Sequence, residues 1–441
     1  MKVSSDPSLQ KRPPGPATPF DINVDEETFH NLARWRADYG DIIQVEPVKR
    51  TAPAFVLNNP DHVRHVLIGN HRNYTKGVGF ERVKMLLGNG IIVSDGDFWR
   101  SQRRMVQPMF HKQVIGELSK MMQRCNQAKL ADWKSKAAAG QEINITVEMS
   151  ELALEVVLRA LFSSDLDELV ADTGENPFNL LVQDPTRDLK FAMRFRQLTQ
   201  HVQAMMNTRR ETDRTENDFL SMLMLTVDKD NGNNMPDKAI IDEVMTIIVA
   251  GHETTAGTLN WVWYLLSQHP DIEARLHAEV DALPEQPGIE HLPELSYTRQ
   301  IVEEALRLYP PVWLYSRKAI DTDQLGGYSI PAGADIFLCP YLLHRDPAHW
   351  KNPELFDPDR FSATESQERN RYAFYPFSLG SRRCVGEFFS MVDMQLHMAL
   401  LARSVRLTHS SDKPVAVEPH INLRTKNDIT MGLEIRPHRS D

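Results

Sequence analysis

Apolar residues recur at helical spacing along most of the chain, and only short segments alternate in the manner of strands. The 3.6-residue period predicts helices over residues 25–39, 112–138, 147–162, 187–210 and 296–309. A longer helix runs from Pro236-Asp237 to about Ser267, with proline and a carboxylate marking its first turn. β-rich pieces at 42–45, 54–57, 143–146, 313–320 and 336–338 predict a small sheet region, with Gly326-Gly327 and Pro331-Ala332-Gly333 as turns. Asn59-Pro60-Asp61 caps a short helix. The expected fold class is mainly α with a small β region.

Three segments depart from this ordinary patterning. Residues 76–97 are glycine-rich and irregular, the composition of a pocket-shaping loop, and Phe80, Val83, Met85 and Leu87 are its candidate substrate contacts. Residues 164–211 are broken at Gly174-Glu175-Asn176-Pro177 and at Asp184-Pro185, which leaves only the 187–210 helix. From Val244 to Leu266 the only formal charge, with His252 neutral, is Glu253. A helix apolar all round is buried in a large core or spans a membrane. Gly251, Gly257, His252, Thr254-Thr255 and the lack of basic flanks favour the core.

Composition narrows the choice further. At 41% hydrophobic and 25% charged, 441 residues can bury a large core. No Gly/Ser-rich linker, repeat or like-charge run divides them, so one domain is expected over 21–441, after a flexible proline-rich tail over 1–20. The formal charge of 50 minus 60, or -10, argues against a nucleic-acid partner. Cys125, Cys339 and Cys384 are too few and scattered for a disulfide framework or zinc site, which fits a reducing compartment. With no signal h-region and no run of ~20 apolar residues, a soluble cytoplasmic monomer without a transmembrane anchor is expected.

Candidate chemistry centres on Phe377-Ser378-Leu379-Gly380-Ser381-Arg382-Arg383-Cys384-Val385-Gly386, which leads into the apolar segment 388–401. A cysteine just ahead of a helix faces backbone N–H groups and the positive end of the helix dipole, and both favour the thiolate. Arg382 and Arg383 push the same way. Gly380 and Gly386 suit a tight loop whose backbone approaches something flat, and Phe377 could cover one face of the sulfur. Taken alone, a single cysteine is more often a buried structural residue. Trp99 and Arg103 share a helix face after a start at Asp97, as do Arg100 and Arg104; an ordinary basic surface helix explains them equally well. Thr254 in the plain reading back-bonds to the Ala250 carbonyl, whereas burying Glu253 without purpose is costly. On 296–309 the apolar stripe is Ile301, Val302, Ala305, Leu306 and Tyr309, and periodicity alone makes Glu304 and Arg307 opposite it a solvated pair worth well under ~1 kcal/mol.

The spacing F-x-x-G-x-R-x-C-x-G resembles the haem-ligand signature of the cytochrome P450 family, and further motifs occur in family order from about residue 25 to the C-terminus. The resemblance implies a single-domain cytochrome P450 fold holding haem b, with Cys384 as axial iron ligand and Phe377 and Arg382 as cofactor contacts. Trp99 and Arg103 match the W-x-x-x-R helix that binds a haem propionate, and Arg317 is implied as a further propionate ligand. Ala250-Gly251-His252-Glu253-Thr254-Thr255 resembles the segment in which a local widening of the helix admits dioxygen. Ala250 and Gly251 are then cofactor contacts, with Glu253 and Thr254 as the proton-relay pair. Glu304, Arg307 and Arg360, the last in Pro358-Asp359-Arg360-Phe361, are implied to form a buried structural triad.

The implied function is monooxygenation of a lipophilic molecule such as a fatty acid, terpenoid or polyketide. One atom of O2 enters a C–H or C=C bond and the other leaves as water. Electrons from NAD(P)H are expected to arrive only indirectly, through a reductase and a ferredoxin or flavodoxin docking near Arg100, Arg104 and Arg383. A peroxide-driven or redox-neutral enzyme of the same fold is the alternative. A remoter one, a haem sensor or electron carrier, needs neither Glu253 nor Thr254.

Overall fold

The computed structural model describes residues 12–183, 189–409, 411 and 413–437, without the side chains of residues 189 and 190. The start of the expected tail, the Asp184-Pro185 break and Arg187 lie outside the described residues.

The chain opens with α1, Glu26–Tyr39, whose N-cap Asp25 accepts from the Thr28 N–H at 2.8 Å. Strands β1, Ile42–Val45, and β2, Ala54–Leu57, pair antiparallel, and β3 follows at Tyr74–Lys76. The next segment corrects the loop expected over 76–97, because Phe80–Leu87 forms a helix, α2. Its glycines lie at the ends, where Gly79 and Gly88 take φ of 94° and 78°, so they delimit the helix instead of loosening it. Helix α3, Gly96–Val106, is preceded by Asp95, two residues ahead of the expected start at Asp97.

The core is helical. α4 spans Lys112–Ala138, α5 Ile145–Phe162, α6 Leu189–Glu211 and α7 Asp237–Gln268. The β-like 143–146 stretch shrinks to Ile143–Asn144, because Asn144 caps α5 by accepting from the Val147 N–H at 3.2 Å. The broken segment before α6 also holds a helix, Asp165–Thr173, that ends at Gly174 with φ 81°. α7 packs along α5 so closely at Gly251 that a Cβ there would come within 3.0 Å of Val157 Cγ2.

α8 spans Ser296–Leu308 and leads to β4, Tyr315–Ala319, and β5, Asp335–Leu338. The sheet order is β1-β2-β5-β4-β3, antiparallel except for β2 with β5. Every residue of β2 and β5 is buried, as expected of a parallel pair covered on both faces. α9, Glu387–Ser404, follows the Cys384 loop. A buried chain ties it to α7 and α4: Trp263 Nε1 donates to His397 Nε2 at 2.9 Å, and His397 Nδ1 lies 2.8 Å from Asn126 Oδ1. The hairpin of β6, Val417–Pro419, and β7, Leu423–Thr425, follows, and a final strand, Thr430–Ile435, pairs antiparallel with Val405–Thr408. Among the described residues no helix is long and apolar enough to cross a membrane.

Candidate active site

The Cys384 loop is closed by its own backbone. The Cys384 N–H donates to the Phe377 carbonyl at 2.9 Å, and Ser378 and Gly380 both take positive φ, 59° and 67°. A Cβ on Gly380 would sit 2.0 Å from the Leu67 carbonyl oxygen, so this position accepts only glycine. Gly386 has an ordinary φ of -85°, and a Cβ there would meet Phe110 at 3.7 Å, so the glycine is not forced by any backbone nearby. Cys384 is exposed at the mouth of the loop, but the protein atoms crowded around its sulfur displace enough water to push its thiol up. The N–H groups of Gly386 and Glu387, at the head of α9, and the Arg103 guanidinium pull the other way and favour the thiolate, whereas the Glu387 charge opposes it. Of the two arginines expected to favour the thiolate, Arg383 does attract the Cys384 sulfur. Arg382 pairs with Asp95, and Arg383 is tied to Glu387 at 2.5 Å.

Four cations gather beside this loop. Arg382 donates to the Ser94 carbonyl at 2.7 Å and to Asp95, and its guanidinium lies 3.7 Å above the Trp99 ring. Arg103, one turn beyond Trp99 on α3, donates to the Arg383 carbonyl at 2.8 Å. Arg317 on β4 is buried, and burial holds its guanidinium down. Lys76, which closes β3, is pushed well below its usual range first by burial and then by the charges of Arg317 and Arg382, with only Asp95 acting in its favour. Arg382 falls to about 10 for the same reasons. Cations that crowd one another around a single carboxylate make an anion site short of negative charge.

The opposite requirement, an apolar wall with proton-active groups, is met on α7. Val249, Ala250, Gly251, Glu253, Thr254 and Gly257 are partly exposed in a stretch of helix that is otherwise buried. On a 3.6-residue wheel all but Gly251 fall within an arc of about 140°, so one face is open. The Thr254 hydroxyl donates to the Ala250 carbonyl at 2.6 Å, and Thr258 repeats the bond to Thr254 at 2.8 Å. The helix is α-helical without interruption, so the widening that the resemblance implies is not seen; hydroxyls take those carbonyls instead. Glu253 accepts from Asn422 Nδ2 at 2.6 Å.

Glu304 and Arg307 form a bidentate pair at 2.6 and 2.8 Å with both side chains fully buried, which overturns the solvated pair read from periodicity. Arg360 Nε lies 3.3 Å from Glu304 Oε1. Lys76, Asp95 and Asn422 were not singled out by the sequence, since no motif or spacing marks them and each joins the site through a distant segment. The basic residues expected to receive a redox protein are all paired: Arg100 with Asp97, Arg104 with Asp228 and Asp230, Arg383 with Glu387.

The family profile described as Cytochrome P450 matches residues 13–430, and the chain belongs to the cytochrome P450 family. It is 34% identical over 404 residues to cyclooctatin synthase of Streptomyces melanosporofaciens, covering 87% of each chain. It is also 34% identical to cyclooctat-9-en-7-ol 5-monooxygenase of the same organism, over 86% of this chain and 87% of the relative. Pentalenene oxygenase of Streptomyces avermitilis is 32% identical over the same shares, 86% and 87%. The crystal structure of the cytochrome P450DA heme domain superposes with a TM-score of 0.83 at 24% identity, over 97% of this chain and 98% of the other. The protein is thus a cytochrome P450 monooxygenase that uses haem b, O2 and electrons from NAD(P)H passed on by redox partners. Its residues fit the cofactor: the propionates of a haem would supply the negative charge that the Lys76, Arg103, Arg317 and Arg382 cluster lacks, and the Cys384 loop presents a sulfur with N–H groups beside it.

Proposed function

We propose that this monooxygenase hydroxylates a cyclic terpenoid, with electrons delivered by a separate ferredoxin or flavodoxin. The observation that carries the substrate class is the agreement among the three relatives above 30% identity, whose names refer to cyclooctatin, cyclooctat-9-en-7-ol and pentalenene. The apolar part of the open α7 face, Val249 and Ala250, suits such a substrate. Of the substrate contacts expected on α2, Val83 packs against the main core and Leu87 is buried, whereas Met85 is 65% exposed and Phe80 lies under the Lys76 ammonium at 4.4 Å.

The balanced reaction is RH + O2 + NAD(P)H + H+ → ROH + H2O + NAD(P)+. The bound haem supplies the activation of dioxygen. In this reading Cys384 ligates the iron, Lys76, Trp99, Arg103, Arg317 and Arg382 hold the propionates, and Glu253 and Thr254 pass in protons from water. Phe110, Lys112 and Phe388 line an open groove of about 630 Å³ next to the Cys384 loop, a suitable seat for the electron donor. Ion pairing of Arg100, Arg104 and Arg383 damps but does not abolish steering, so the reduction rate should fall with added salt.

The test is titration of the ferric protein with a cyclic terpene hydrocarbon or alcohol and with a fatty acid of similar carbon number. A low-spin to high-spin shift with the terpene, and a turnover product heavier by one oxygen, is expected. A shift with the fatty acid and none with the terpene would overturn the substrate class.

A further inference from the structure

The β6–β7 hairpin touches α7 at two points. Asn422 Nδ2 donates to Glu253 Oε2 at 2.6 Å, and Asn260 Nδ2 donates to Thr425 Oγ1 at 3.4 Å. Glu253 and Asn260 are seven residues apart, so they lie on one face of the helix, about 10.5 Å apart along its axis. Asn422 stands in the bend just before β7 and Thr425 closes that strand. The two contacts therefore fasten the start and the end of this arm to one face of α7.

The arm that carries Asn422 is itself anchored. The neighbouring Leu423 N–H donates to the Pro311 carbonyl at 2.8 Å, and the buried Trp313 Nε1 donates to the His420 carbonyl at 2.7 Å. Ile421 at the tip is 64% exposed. Asn422 thus reaches α7 from a fixed base, and its amide meets the one carboxylate on the open face of the helix. The next residue, Thr254, has its hydroxyl committed to Ala250.

We propose that Asn422 is a positioning residue for oxygen transfer: its amide holds the Glu253 carboxylate toward the hairpin and so sets when that acid can pass a proton toward Thr254. This rests on the reading of Glu253 and Thr254 as the proton-relay pair. An amide N–H on a carboxylate oxygen fixes that oxygen, so the acid, once it has taken a proton from water, turns toward Thr254 only when the hairpin contact yields. Correct delivery spends two electrons and two protons on RH + O2 to give ROH and H2O. Mistimed delivery spends the same two electrons and two protons on O2 alone and gives H2O2.

The experiment compares Asn422→Leu, Thr425→Val, Glu253→Gln and the Asn422→Leu/Glu253→Gln double variant in the haem-loaded protein. Thr425→Val cuts the other tether without touching the acid. Two readouts are taken: the share of NAD(P)H electrons recovered as peroxide, and the infrared carboxyl and carboxylate bands that vanish in Glu253→Gln. In Asn422→Leu the peroxide share should rise several-fold and the Glu253 band should shift. The double variant should add nothing beyond Glu253→Gln, and Thr425→Val should change neither readout. Equal effects from Asn422→Leu and Thr425→Val, or an unmoved Glu253 band in Asn422→Leu, would reduce Asn422 to a hairpin anchor and overturn the proposal. If Glu253→Gln itself leaves the peroxide share unchanged, the relay reading falls and this proposal with it. If Glu253→Gln uncouples and Asn422→Leu does not, only the role of Asn422 falls.

Discussion

Glu243 shows how much one side chain can carry. It is fully buried on α7, accepts from the Ile91 N–H at 3.1 Å, and burial lifts its carboxyl from 4.5 to about 8, the Ile91 N–H opposing and Asp242 adding to the rise. Below pH 4.5 the folded and unfolded chains both hold the proton. Between 4.5 and 8 the unfolded chain has released it and the folded chain has not, so stability falls as pH rises through that window. At pH 7 the loss is on the order of 3 kcal/mol. Glu243→Gln keeps an acceptor for Ile91 and removes the titration. Urea unfolding should find it more stable than wild type by about that amount at pH 7 and nearly equal to it at pH 4.5. A difference that does not change with pH would contradict the assignment. Glu243 stands just outside the stretch, charged only at Glu253, that drew attention to α7, and its hydrogen-bond partner Ile91 lies far away in sequence. No local pattern could have shown it, whereas Glu253 was legible because it breaks a long apolar run.

At the scale of elements, helical period was a good guide to extent and a poor one to surroundings. The limits of α4, α7 and α8 were legible from spacing, and at α7 also from the proline and carboxylate at its start. What surrounds a helix was less so. The polar side of α8 faces residues 344–357, which supply three carbonyls to Arg307, from His344, Pro353 and Leu355, and the Asp357 N–H to Glu304. A stripe count sees one apolar neighbour and misses a second, polar one. Glu304→Ala strands Arg307 and should cost roughly 3 to 5 kcal/mol in denaturant unfolding. A loss below ~1 kcal/mol would mean that water reaches the pair. α2 was missed for a related reason, since glycine content alone does not say whether glycines interrupt a helix or end it. Gly88→Ala would set a Cβ 2.1 Å from Asp242 Oδ1 at a φ of 78°, so hydrogen exchange should show residues 80–91 opening more readily than in wild type. Unchanged protection there would contradict the role of Gly88 as a close-packed helix end.

Across the whole molecule, the cofactor motifs of Cys384, Trp99 and Arg103 were legible because each sits in a short fixed spacing. The rest of the cation cluster arises only from folding, as β3, α3, β4 and the Cys384 loop converge from four parts of the chain. That convergence has a cost. With one carboxylate, Asp95, among Lys76, Arg103, Arg317 and Arg382, the haem-free protein carries a repulsion that propionates bound there would relieve. Salt screens such repulsion. Raising ionic strength should therefore raise the Tm of the haem-free protein by more than that of the haem-bound protein, and equal responses would count against the cluster as the propionate site.

Cys384 as the iron ligand is tested most directly by the absorption difference spectrum of the reduced protein under carbon monoxide, for wild type and Cys384→Ser. A Soret band displaced to long wavelength in wild type and absent in Cys384→Ser is the predicted result. A band of the imidazole-ligated kind, indifferent to the substitution, would contradict the assignment of the thiolate and of the site built around it.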